Sequence, residues 1–165
     1  MNIKIAELAR HLRDPLLKNS LFIMLTSISG AGFGFIFWML AAKFYPAEDV
    51  GIATALISSM ALLVLLSRFG LDFSIIRFFP TNDKSRIFST SAIITTSFAV
   101  IFGAVFIAGV DILSPELGSL LKPPRNAALF LIFLAASSVT ALTGISFIAI
   151  RKAAFQFLQS IIEIF

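Results

Sequence analysis

Four long stretches without a charged residue divide the chain, at residues 21–42, 50–67, 87–110 and 127–150. Each is apolar around its whole circumference, with none of the charged stripe that a helix on a soluble globule carries. A helix rises about 1.5 Å per residue and a bilayer's hydrocarbon core is about 30 Å thick, so about 20 residues suffice to cross it. The pattern predicts an all-α fold, a polytopic transmembrane helix bundle with spans at about 20–43, 47–69, 87–110 and 127–150. Residues 15–165 form this bundle and residues 1–14 stand apart from it.

The helix ends carry their own signals. Asp14-Pro15 suits an N-cap followed by the first helical position, where proline's missing N–H costs nothing. Tyr45-Pro46-Ala47-Glu48-Asp49 opens the second span with two acids at the positive end of the helix dipole. Asn82 or Asp83 is placed to cap span three, and Asn126 to cap span four. Between those spans Ser114-Pro115-Glu116 starts a short helix that Pro123-Pro124 stops, expected to lie in the membrane interface. The first span is longer than a signal-peptide core and no small-x-small cleavage pattern follows it.

Composition agrees with the pattern. Hydrophobic residues make up 58% of the 165 positions and charged residues 13%, against roughly 25% charged in soluble domains. Too few polar side chains remain to coat a globule, so lipid must cover part of the surface. The net charge of +4 does not point to nucleic acid, because the basic residues flank the apolar runs. Ten of the thirteen share one side: Lys4, Arg10, Arg13 and Lys18, then Arg68, Arg77, Lys84 and Arg86, then Arg151 and Lys152. Lys43, Lys122 and Arg125 fall on the other. The positive-inside rule places the N-terminus in the cytoplasm of a cell bounded by this membrane, with Trp38 and Tyr45 at the outer boundary of span one.

The two ends differ from the middle. Ile5, Leu8, Ala9 and Leu12 fall at helical spacing among Lys4, Arg10 and Arg13, which predicts a basic amphipathic helix on the cytoplasmic leaflet over residues 1–14. At the C-terminus Leu158, Ile161, Ile162 and Phe165 form an apolar stripe opposite Gln156, Gln159, Ser160 and Glu163. Residues 153–165 span only about 20 Å as a helix. They read either as an interfacial helix or, preferably, as the start of a fifth span with its polar face toward a cavity.

Candidate chemistry is sparse. Without cysteine the chain has no disulfide, thiolate ligand or thiol nucleophile. His11 is the only histidine, and no zinc, phosphate-loop or serine-hydrolase motif is present. The expectation is therefore a protein that is not an enzyme and holds no metal or cofactor. Within span one, Gly30 and Gly34 make a G-x-x-x-G pair suited to close helix contact or to a hinge. Spans three and four carry Ser91, Thr95 and Thr96 and Ser137, Ser138, Thr140 and Thr143, hydroxyls that either bond their own helix or face a lumen. The densest cluster is Arg68-Phe69-Gly70-Leu71-Asp72 with Arg77. Arg68 and Asp72, four apart, would pair across one helical turn provided Gly70 does not break it. Charges at membrane depth face a cavity or a partner.

Residues 18–80 and their continuation resemble the N-terminal part of the polysaccharide transporter family, the O-antigen flippase branch of the multidrug/oligosaccharidyl-lipid/polysaccharide exporter superfamily. The resemblance rests on KNSLF before a glycine-bearing first span, FWMLAAKFYPAEDVGIATALIS across the first turn, LSRFGLDFSIIRFFP after the second span, and SFIAIRKAAF after the fourth. It covers nearly the whole chain but about the first third of a family member, so the chain is expected to be a piece of a larger transporter whose remaining helices are its partners. The resemblance implies a flippase of the cytoplasmic membrane that carries a lipid-linked oligosaccharide between leaflets by alternating access, through a cationic cavity that accepts the pyrophosphate head group. Span one lacks an internal cation, leaving Lys43, Arg68 and Arg77, with Asp72 beside them, as candidate substrate contacts, and Gly70 as a packing or hinge position.

Two alternatives stand beside the flippase: a cation-coupled drug exporter of the same architecture, and a four-span structural subunit without transport activity. All three share one topology. A reporter fused at Ser119 is expected to read as extracytoplasmic and one at Asp83 as cytoplasmic; the opposite labels would reverse the orientation.

Overall fold

A computed structural model describes residues 15–150 and 152–164. The expected amphipathic helix over residues 1–14, His11 within it, the cap at Asp14, Arg151 and Phe165 lie outside the described residues. Among the described residues seven helices follow in order: α1 (Pro15–Phe44), α2 (Ala47–Ser67), α3 (Leu71–Phe78), α4 (Lys84–Leu113), α5 (Pro115–Leu121), α6 (Pro124–Ala149) and α7 (Ala153–Ile164). Four of them, α1, α2, α4 and α6, are long and apolar enough to cross a membrane, and α7 is a shorter apolar helix.

Local chemistry sets the ends. Asp83 caps α4, its carboxylate accepting from the N–H groups of Ser85 at 3.1 Å and Arg86 at 3.5 Å. Ser114 caps α5 through Leu117 N–H at 3.4 Å, with Pro115 at the first helical position. Asn126 departs from expectation. α6 starts earlier, at Pro124, and the Asn126 amide donates to the Leu120 carbonyl at 2.8 Å, closing the end of α5 instead. The largest departure is at residues 68–78. α2 stops at Ser67, and Phe69 (φ 44°) and Gly70 (φ 75°) turn the chain left-handed before the separate helix α3 begins. Glycine takes that conformation freely, whereas phenylalanine does not. The Phe69 ring is held by Phe98 and Phe102 of α4, with centroids 4.8 and 5.8 Å away.

The centre of the bundle is the antiparallel pair α4 and α6. Gly103 lets them meet: a Cβ there would lie 2.6 Å from Leu134 Cδ2 and 2.8 Å from Leu131 Cδ2. Beside it the hydroxyls of Thr96 and Ser138 lie 3.2 Å apart across the interface. Leu63 and Val64 of α2 and Leu117 and Leu121 of α5 close on one end of this pair, around Ala99, Phe130 and Leu134. α3 closes the other, setting Ile75, together with Phe79 just beyond it, against Leu142 of α6.

α7 folds back along α6. Phe155 stacks on Phe147 at 5.8 Å, and Gln159 Nε2 donates to the Thr140 carbonyl at 3.0 Å. α1 packs chiefly on α7, with Phe22 and Phe157 rings 6.2 Å apart, and barely touches α2.

Because Leu134 is fully buried, it has no room to yield at Gly103. Gly103→Ala should therefore destabilise the α4–α6 pair by about 1–3 kcal/mol. Gly109→Ala on the same helix, where a Cβ meets nothing within 4 Å, should be neutral or mildly stabilising. Thermal unfolding in detergent compares the two, and equal midpoints would show that the contact at Gly103 does not hold the helices together.

Candidate functional site: a polar groove beside Arg68

In hydrocarbon a polar side chain has no water to bond, so it turns toward protein. The hydroxyls mostly do so within their own helix: Thr143 donates to the Val139 carbonyl at 2.9 Å and Ser146 to Leu142 at 2.9 Å. Ser138 bonds both the Ala135 carbonyl, at 2.7 Å, and Thr96. Ser91 and Thr95 are buried in the helix interface. These residues build packing contacts. Ser137 and Thr140 instead line open space.

That space borders α2, α6 and α7. One hollow of about 440 Å³ is lined by Ile57, Met60, Ala61 and Val64 of α2, Ser137 of α6, and Arg68. A second of about 210 Å³ lies on the other side of Arg68, lined by Thr140, Ala141, Gly144 and Ile145 of α6 and Gln156, Gln159 and Ser160 of α7. Arg68 is common to both. Three independent features of the chain bring these groups together. The hydroxyls at 137 and 140 and the glycine at 144 share one face of α6; the antiparallel return of α7 turns its amides inward; and the end of α2 delivers Arg68 between them.

The helix break at Phe69 and Gly70 does not prevent the ion pair. Arg68 Nη1 lies 2.9 Å from Asp72 Oδ2, with both side chains about one-fifth exposed. The left-handed turn carries Asp72, in the first turn of α3, back beneath the guanidinium. Arg68 Nε, Asp72 Oδ1 and Gln156 Oε1 are buried without a hydrogen-bond partner. Asp72 lies outside the four spans, and burial raises its carboxyl above the ordinary aspartate value, partly offset by the charge of Arg68 and the hydrogen bond from it. Thr140 to Ile145 lie short of the α6 terminus at Ala149 by roughly 6–14 Å at 1.5 Å per residue, so the guanidinium sits inside the end of the bundle.

The other candidates are elsewhere. Lys43 is exposed at the far end of α1, its ammonium 5.9 Å from the Phe44 ring centroid. Arg77 is exposed on α3, its guanidinium 5.5 Å from the Phe78 ring. Neither joins Arg68. A Cβ added at Gly30 or Gly34 meets nothing within 4 Å. The close glycine contacts are Gly103 and Gly118, the latter lying directly under the Asp111 carboxylate. Among the described residues no group of three or more His, Cys, Asp or Glu side chains is placed to hold a metal.

Four apolar spans, two of which border a groove with a half-buried arginine, define a multi-pass α-helical membrane protein with a polar site. The sequence profile of the family described as polysaccharide biosynthesis protein matches residues 16–164, and the chain belongs to that family. No curated protein and no solved structure matches it.

Removing one partner of a shielded ion pair leaves the other charged and unpaired, which costs more than removing both. Asp72→Leu should thus destabilise the protein by about 1–3 kcal/mol. Adding Arg68→Leu to it should recover part of that loss, giving a coupling a double-mutant cycle can measure. Strictly additive losses would mean that the two side chains do not interact.

Proposed function

We propose that this chain forms part of a flippase that moves a lipid-linked oligosaccharide across the cytoplasmic membrane, with its N-terminus in the cytoplasm and without covalent chemistry of its own. Family membership places it in polysaccharide biosynthesis. The observation that carries the finer reading is Arg68, a guanidinium with a buried, unpartnered Nε between two hollows lined by hydroxyl and amide groups.

The physical need is clear. A diphosphate carrying sugars cannot enter hydrocarbon unaided, because each charge and each unpaired hydroxyl resists desolvation. A carrier lowers that barrier by replacing water with fixed donors and acceptors. Arginine is suited to the diphosphate, since its planar fork stays charged and meets phosphate oxygens with paired N–H groups. Asp72 holds the guanidinium in one orientation while leaving Nε free. The serine, threonine and glutamine groups around it both donate and accept, as sugar hydroxyls require. The bias of basic residues toward the Arg68 side of the bundle supports loading from the cytoplasm.

In the intact protein in its host, Arg68→Ala should reduce surface glycan export at least tenfold while membrane abundance stays unchanged, and Arg68→Lys should retain an intermediate level. Export at the normal level in Arg68→Ala would remove Arg68 from the site and this reading with it.

A further inference from the structure

Among the described residues Phe69 is the one non-glycine with a positive φ, at 44°. An L side chain is strained in that region, and such strain persists only where the surroundings hold it in place. Glycine would make the same turn freely, as Gly70 does beside it at φ 75°. Stability does not account for the phenylalanine. It is 62% exposed, and a ring facing lipid gains little by leaving one apolar surrounding for another. What the ring adds is a specific grip. It meets Phe98 of α4 edge-on, with centroids 4.8 Å apart and planes at 70°, and Phe102 one turn further along at 5.8 Å.

That grip bears on the groove. Arg68 directly precedes Phe69, and its carbonyl closes the turn by accepting from Leu71 N–H at 2.7 Å. Phe102 adjoins Gly103, where α4 and α6 meet, and α6 carries Ser137 and Thr140. The ring therefore ties the helix end that bears the cation to the helix pair that bears the hydroxyls. Asp72 orients the guanidinium from α3, on the other side of the break. Phe69 fixes the backbone from which that guanidinium extends.

We infer that Phe69 is a positioning residue for Arg68: its gripped ring holds a strained turn so that the guanidinium stands at one fixed place in the groove. The inference rests on the flippase reading and adds to it a residue that acts through the cation without touching substrate. Place matters because a donor recognises a diphosphate only where it meets the phosphate oxygens, and a small displacement of a binding group lowers rates steeply.

The test separates position from stability, in the intact protein. Phe69→Gly removes the ring and the strain together, so its unfolding midpoint in detergent should equal or exceed that of the unaltered protein. Surface glycan export should nevertheless fall roughly fivefold or more at unchanged membrane abundance. Phe69→Tyr, which keeps the ring, should retain at least half of normal export. In an Arg68→Ala background Phe69→Gly should cause no further loss, because both changes act on one group. Normal export in Phe69→Gly overturns the inference, as does a fall in export matched by a fall in midpoint. So does a loss of export in Phe69→Tyr, or a further loss beyond that of Arg68→Ala. Should Phe69→Gly fail to accumulate, Phe98→Leu, which removes the facing ring and leaves residues 68–70 unchanged, decides by the same measures. If Arg68→Ala impairs export while Phe69→Gly does not, the positioning role alone falls. If neither does, the flippase reading falls with it.

Discussion

The absence of water in hydrocarbon is the constraint from which the rest of this structure follows. A polar group facing lipid has no solvent partner, so it must find one inside the protein. α7 shows the consequence most plainly. Leu158 and Ile162 are exposed, at 55% and 75%, while Gln156, Gln159 and Ser160 turn toward α6 and Arg68. In water the same helix would be inside out. The same constraint explains why most serines and threonines bond a carbonyl one turn back, and why Ser138 and Thr96 bridge the central helix pair.

Packing among apolar helices in lipid gains little from hydrophobicity, because neighbouring lipid tails are as apolar as leucine. Close approach and hydrogen bonding must do the holding. Gly103 provides the approach and Thr96–Ser138 the bond, and around this pair α2, α3 and α5 find their places. α1 does not join it. None of its apolar window is buried, and its contact with α7 rather than α2 opens a hollow between α1 and α2 at Trp38. The polar groove at Arg68 and the aromatic hollow at Trp38 thus lie toward opposite ends of one helix, α2, which touches both.

The Arg68–Asp72 pair links local strain to this arrangement. A continuous helix would also have set Asp72 one turn from Arg68, but with α3 as an extension of the span. The left-handed residues Phe69 and Gly70 instead turn the chain so that α3 lies against α6, Ile75 and Phe79 bury on Leu142, and the carboxylate still reaches Arg68 at 2.9 Å. The conformation is costly for Phe69, and its ring contacts with Phe98 and Phe102 offset part of that cost. The groove has a fixed cation because this break is held from both sides.

The sequence by itself determined the four spans, the short helix that starts at Ser114 between spans three and four, a cap for span three at Asn82 or Asp83, and the two-faced character of the last helix. All of these follow from local composition and periodicity against a solvent of known thickness. It also drew attention to Arg68 and Asp72, since paired charges beside an apolar run are rare enough to be informative. Tertiary structure decided what periodicity does not encode. It ended α2 at Ser67, chose Gly103 over Gly30 and Gly34 as the close contact, and left Lys43 and Arg77 far from Arg68. It also joined Ser137, Thr140 and the glutamines of α7 into one groove. Those outcomes depend on which helix leans on which, and residues about ninety positions apart in the chain meet only once the helices have packed.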